Sequence, residues 1–183
     1  MTDMDAPRTR WWERPDSSAP AAFISHASAD ASQATEIVRV LEAAGLRCWI
    51  APRDIPAGSP WAGSIVDGIR SSRLLVVVFS ARSCASPEVY REVELASRER
   101  KPMLTVRIDR TAALTGPLAF FLSSIQWVEA TARPLRPQLE QLPSTIAPLL
   151  NVAVTPVAGT SATREERGDE PDRDLDLDLL TKW

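Results

Sequence analysis

Two cysteines in 183 residues are too few for a disulfide framework, and Cys48 and Cys84 form no CxxC pair of the zinc or redox kind. Both sit inside apolar segments, so buried thiols in a reducing compartment are expected. No apolar run approaches the ~20 residues of a membrane-spanning helix. The first residues are polar and proline-bearing and lack the hydrophobic stretch of a secretory signal. A cytoplasmic protein with no membrane partner is therefore expected. Strong net charge is also missing: a value of −3 gives no reason to expect nucleic acid as a partner.

What is present is a globular composition, 44% hydrophobic and 25% charged, in a chain long enough for one ordinary domain with tails. Residues 1–20, which include the Trp11–Trp12 pair, read as a flexible arm, and residues 21–150 as the domain. Residues 151–183 hold eight acidic side chains against four basic ones and few core residues, and are expected to be disordered. Leu175, Leu177, Leu179, Leu180 and Trp183 give that tail an apolar end, which suits either a docking peptide or an ordinary terminus.

From Ala21 the pattern alternates between strand and helix. Ala21–Ser25 reads as a buried strand. Asp30 is placed to cap a helix, with Gln33 completing a variant of the capping box, and Gly45 closes that helix. Ala34, Ile37, Val38 and Leu41 mark its inner face. Leu46–Ile50 is a second strand. Residues 51–58 contain Pro52, Pro56 and Gly58 and read as a long ordered loop. Residues 59–71 form a helix with Trp61, Ile65 and Ile69 on one face. Leu74–Phe79 is apolar throughout, as a strand covered on both sides must be. Ser86 and Pro87 open another helix at N-cap and N1, with Val89, Val93 and Ala96 facing inward. Met103–Ile108 and Ile125–Val128 are further strands, with a short helix at Pro117–Leu122 between them. Leu135, Leu139, Leu142, Ile146 and Leu149 mark a last helix, which Pro137 and Pro143 kink or split. Five such alternations imply an α/β doubly wound, flavodoxin-like fold with a five-stranded parallel sheet in the order 2-1-3-4-5.

Four blocks carry a family resemblance. Phe23-Ile-Ser-His-Ala-Ser28 resembles the first conserved box of the TIR (Toll/interleukin-1 receptor) domain. Trp49-Ile-Ala-Pro-Arg-Asp-Ile-Pro-Ala-Gly58 resembles its second box and BB loop. Residues 80–96 resemble the third-strand exit and helix C of stand-alone bacterial members, and Phe121-Leu-Ser-Ser-Ile-Gln-Trp127 resembles the strand E segment. The resemblance implies one of two functions. Some TIR domains are NAD+ nucleosidases, hydrolases or ADP-ribose cyclases that cleave the nicotinamide–ribose bond; bacterial ones of this kind produce a signal in antiphage immunity for a separate effector. Others are non-catalytic scaffolds or interaction modules, in signalling or in interference with a host. On the enzymatic reading NAD+ is a substrate, no cofactor or metal is required, and self-association is expected.

The enzymes place one glutamate on helix C after an apolar residue and two variable ones. Val89-Tyr90-Arg91-Glu92 carries that pattern, so the resemblance makes Glu92 the catalytic position. The residues themselves agree in part. Glu94 has Arg98 at i+4 and reads as a solvated pair. Glu92 has Ala96 at i+4 and a like charge, Glu88, at i−4, and it borders the inner face; such a carboxylate tends toward a raised pKa. Substrate-binding candidates are Ser25, His26, Ala27 and Ser28 after the first strand, Arg53, Asp54 and Gly58 of the BB loop, and Trp61. Each has a plainer reading: substrate contact or packing, rather than acid–base chemistry, for His26, the only histidine; core packing for Trp61; mutual pairing or loop capping for Arg53 and Asp54. Many catalytic members carry an aromatic four residues before the glutamate, where this chain has Glu88.

A fold of the same strand order and a related one stand against this. A response-regulator receiver needs an acidic pair after strand one and an aspartate ending strand three, where this chain has Ser25-His26-Ala27 and Phe79-Ser80. A nucleoside deoxyribosyltransferase-like enzyme also uses a glutamate, but the BB-loop block argues against it.

Overall fold

The computed structural model describes residues 19–154. The Trp11–Trp12 pair and the leucine-rich end of the acidic tail lie outside the described residues. Five parallel strands, β1 (Ala22–Ser25), β2 (Cys48–Trp49), β3 (Leu74–Phe79), β4 (Met103–Arg107) and β5 (Gln126–Glu129), form one sheet in the order β2-β1-β3-β4-β5. This is the expected α/β topology. Among the described residues seven α-helices, and a 3-10 turn at Ser28–Asp30, accompany them: α1 (Ala31–Ala43), α2 (Trp61–Ser71), α3 (Ala81–Cys84), α4 (Pro87–Arg98), α5 (Pro117–Leu122), α6 (Arg136–Leu139) and α7 (Leu142–Leu150). Among the described residues no helix is long and apolar enough to cross a membrane.

The apolar run of β3 is explained by the two cores it separates. Leu74, Val76 and Val78 join Ile24, Leu41, Leu104, Leu139 and Ile146 in a core that α1, α6 and α7 help to build. Leu75, Val77 and Phe79 point the other way, to Phe23, Ile69, Val89, Val93 and Leu122, the side of α2, α4 and α5. Alternate residues of one strand thus supply both faces, and every β3 side chain is buried.

Several local expectations need correction. Asp30 stands at the N-cap of α1 but makes no capping bond. Its carboxylate, fully buried, accepts from the Ser80 hydroxyl and from Arg82 Nη1 at 2.9 Å. A buried carboxylate is better satisfied by a hydroxyl and a guanidinium than by a partly solvated amide. α3 was not expected; Ser80 caps it in a capping box with Ser83. Strand β2 spans two residues instead of five, partly because the Ile50 amide donates to Asp54 Oδ2 at 2.8 Å and so leaves the ladder. The last helix is split as the prolines suggest. The break resets its phase, so Leu150 is buried with Leu142 and Ile146 while Leu149 is 40% exposed. Val152 and Val154, assigned to the tail from sequence, pack partly buried against the first core.

Candidate active site

The order β2-β1-β3 makes β1 the strand at which crossovers change direction, and in such sheets the crevice lies beyond the carboxyl ends of the strands. A cleft of about 560 Å³ lies there. Phe23 and Ile24 of β1 contribute to its wall, with His26, Ser28 and Ala31 beyond them. α2 contributes Trp61, Ile65 and Ile69; α4 contributes Glu88, Arg91, Glu92 and Leu95; Ala51 and Pro52 close one end. The α4 residues are spaced i, i+3, i+4, i+7, a single stripe of a helix, and the adjoining stripe of Val89, Val93 and Ala96 is driven into the core. Burial of that second stripe sets the rotation of α4 and therefore turns Glu92 toward the cleft.

Ser25, the last residue of β1, is fully buried. Its hydroxyl donates to Glu92 Oε2 at 2.6 Å. The Glu92 carboxyl is pushed up to about 7, foremost by burial and further by the charge of Glu88, while the Ser25 bond works in the opposite direction by favouring the anion. Near neutral pH the group is therefore divided between acid and carboxylate. His26 is half-buried, its Nδ1 is 3.3 Å from the Ile24 carbonyl, and burial lowers its pKa below the usual histidine value. Its ring is accordingly mostly neutral at neutral pH.

Of the residues named from sequence, the fold brings His26, Ser28, Trp61 and Glu92 onto one cleft, with Ser25 behind Glu92. Trp61 is 57% exposed, which overturns the core-packing reading: its helix stripe faces an open cleft instead of a neighbouring element. Ala27 is buried and accepts the Asp30 amide in the turn after β1. Arg53 and Asp54 are not on the cleft wall. Arg53 Nη1 and Nη2 donate to both oxygens of Glu42 at 3.1 and 2.9 Å, Nη2 also to the Cys48 carbonyl, and Nε to Asp54 at 3.0 Å. The mutual pairing considered from sequence is present, with Glu42 added. Gly58 is also off the wall and has φ +79, a backbone state that only glycine holds easily. The solvated Glu94–Arg98 pair is absent from the ion pairs of the described residues. The sequence reading passed over Arg91 and Leu95, although the i, i+3, i+4, i+7 spacing from Glu88 already placed them with Glu92.

Among solved structures, one similar TIR domain supports the fold. The TIR domain of the Toll-related receptor TRR-2 from Hydra magnipapillata superposes with a TM-score of 0.56 at 20% identity, over 69% of this chain and 98% of that one. The TIR domains of the activated Roq1 resistosome, which directly recognises the pathogen effector XopQ, give a TM-score of 0.45 at 17% identity, over 72% of this chain and 84% of that one. No curated protein matches the chain. Residues 22–142 match the TIR domain family, and with that match spanning β1 to the start of α7, the chain belongs to the TIR domain family.

Proposed function

We propose that this TIR domain is an NAD+ nucleosidase, a hydrolase or cyclase acting at the nicotinamide–ribose bond, with Glu92 as its catalytic residue. The observation that carries the reading is the Glu92 carboxyl, divided between acid and anion near pH 7 and held by Ser25 on the wall of a cleft large enough for a nucleotide. In the reaction the C1′–N1 bond breaks and its electron pair goes to the pyridinium nitrogen, so nicotinamide leaves neutral and needs no general acid. Positive charge develops on the ribose, and the Glu92 carboxylate stabilises it. Water then adds to C1′ and releases a proton, which yields ADP-ribose; an internal nucleophile of the same substrate at that step yields a cyclic product. Trp61, Ile65 and Leu95 give the cleft an apolar wall against which the nicotinamide and ribose pack. Following the family resemblance, the proposal extends to bacterial antiphage signalling through a separate effector. Of the binding residues named from sequence, His26, Ser28 and Trp61 take substrate roles in this reading, and Ser25 positions Glu92. Arg53, Asp54 and Gly58 shape the loop, and Ala27 the turn.

The scaffold reading has one observation in its favour. Phe120 on α5 is 83% exposed and meets Phe121 edge-on at 5.1 Å, an aromatic surface suited to self-association. One assay separates the two readings: purified protein incubated with NAD+, followed by chromatography for nicotinamide. Nicotinamide release by the wild type that Glu92→Gln abolishes supports the enzyme. No release at any protein concentration, alongside concentration-dependent self-association, supports the scaffold.

A further inference from the structure

The charges around the cleft are unevenly supplied. Glu88 and Glu92 bring two carboxyl groups. Burial keeps His26 largely neutral. That leaves Arg91 as the one permanent cation among the lining residues. Arg91 is exposed and makes no hydrogen bond or salt bridge with any described residue. Other arginines near the strand ends behave differently: Arg53 is tied to Glu42 and Asp54, Arg82 to Asp30 and Arg107 to Glu129. A guanidinium at the side of an apolar cleft, with no hydrogen-bond partner among the described residues and only the charge of Glu88 acting on it, is suited to an anion brought by the ligand.

We propose that Arg91 is the anion-recognition residue of the cleft and holds the pyrophosphate of the dinucleotide while Glu92 acts on the adjoining ribose. The inference rests on reading the cleft as a nucleotide site, and it names the group that selects phosphorylated ligands over their nucleosides. The spacing suits the chemistry. A ribose and its 5′-phosphate are joined through one ester oxygen, so the cation for one and the carboxylate for the other belong within a side-chain length. Adjacent positions of α4 that both line the cleft provide that arrangement. Glu88, one turn before Arg91, has its carboxyl held below the usual value by its own backbone amide, then by the Ser86 hydroxyl and, to a smaller extent, by the charge of Arg91. It repels phosphate from its end of the stripe and favours the cationic nicotinamide there, so the cleft carries a direction as well as an affinity.

The test uses the full chain and two substrates with the same scissile bond: NAD+, and nicotinamide riboside, which lacks both phosphates. Arg91→Gln is expected to lower kcat/KM for NAD+ about ten- to hundredfold, the scale of one charge-assisted contact. The loss falls mainly on KM, and the preference for NAD+ over the riboside collapses. Arg91→Lys recovers most of that preference. Equal losses on both substrates would overturn the proposal, since they would mean that Arg91 only offsets its acidic neighbours; so would no loss on either. Binding separates this outcome from failure of the enzymatic reading. ADP-ribose and adenosine are titrated against wild type and Arg91→Gln by tryptophan fluorescence, with Trp61 at the cleft as a reporter. Tenfold or greater weakening for ADP-ribose alone supports the proposal even if no cleavage is seen, and then only the role of Glu92 fails. ADP-ribose that binds both proteins alike, or neither, overturns the Arg91 assignment.

Discussion

The Ser25 hydroxyl and the Glu92 carboxyl are 67 residues apart in sequence and 2.6 Å apart in space. Ser25 ends the strand at which the sheet changes direction, and Glu92 is carried by a helix whose rotation is set by buried neighbours. The bond therefore joins two elements that line the crevice, and it bears on the ionisation of Glu92.

Replacing Glu92 with Gln keeps shape and removes charge. Nicotinamide release is expected to fall by about 10²–10³, the usual effect of deleting one electrostatic contact to a transition state. Glu94→Gln is the control two residues along, off the cleft wall and in no ion pair among the described residues. It is expected to retain wild-type turnover. Comparable rates from wild type and Glu92→Gln would remove the assignment.

Activity through the Glu92 anion is expected to rise with pH through an inflection near 7. Ser25→Ala removes a donor that favours the anion, so the inflection moves to higher pH while the plateau changes less. A profile of kcat/KM against pH for both proteins checks this, and an unmoved inflection in Ser25→Ala would contradict it.

Stability carries the opposite sign. The folded protein holds the Glu92 proton up to about 7, above the ordinary value of 4.5. Between those values the unfolded chain releases its proton first, so the contribution of this group to stability is lost as pH rises through the window and is constant on either side. Glu92→Gln does not titrate. Its melting temperature relative to wild type should climb between about pH 4.5 and 7 and level off above that range. A difference independent of pH would show that the carboxyl titrates normally in the fold.

A Cβ on Gly68 would sit 2.6 Å from the Trp49 ring, which is stacked on Phe23 at 4.8 Å. The ring has little freedom to move, and Gly68→Ala is expected to destabilise by about 1–3 kcal/mol through overpacking, against a helix-propensity gain of about 1 kcal/mol. Gly63→Ala in the same helix meets its nearest atom only at 3.9 Å and should stabilise. Urea midpoints of the two variants should lie on opposite sides of wild type.

The sheet order was readable because β3 is apolar at six successive positions and because Gly45, Pro87 and the proline-rich loop mark where elements stop or start. Glu92 stood out partly through its missing i+4 partner. What escaped was decided by distant parts of the chain. Asp30 gives up its cap for Ser80 and Arg82, some 50 residues on, and no local rule anticipates that exchange. Trp61 has the spacing of a core residue, yet the surface opposite it is empty space. Arg91 had the right spacing from Glu88, but its role depends on knowing on which side of α4 the cleft opens.

The brevity of β2 has its own consequence. At one edge of the sheet only Cys48 and Trp49 are paired, and the next free amide, that of Ile50, is already taken by Asp54. The exposed hydrogen-bonding edge is therefore too short to template another strand. Copies of this domain that meet at this edge do so through side chains of the neighbouring helices and loops, and add no strand to the sheet there.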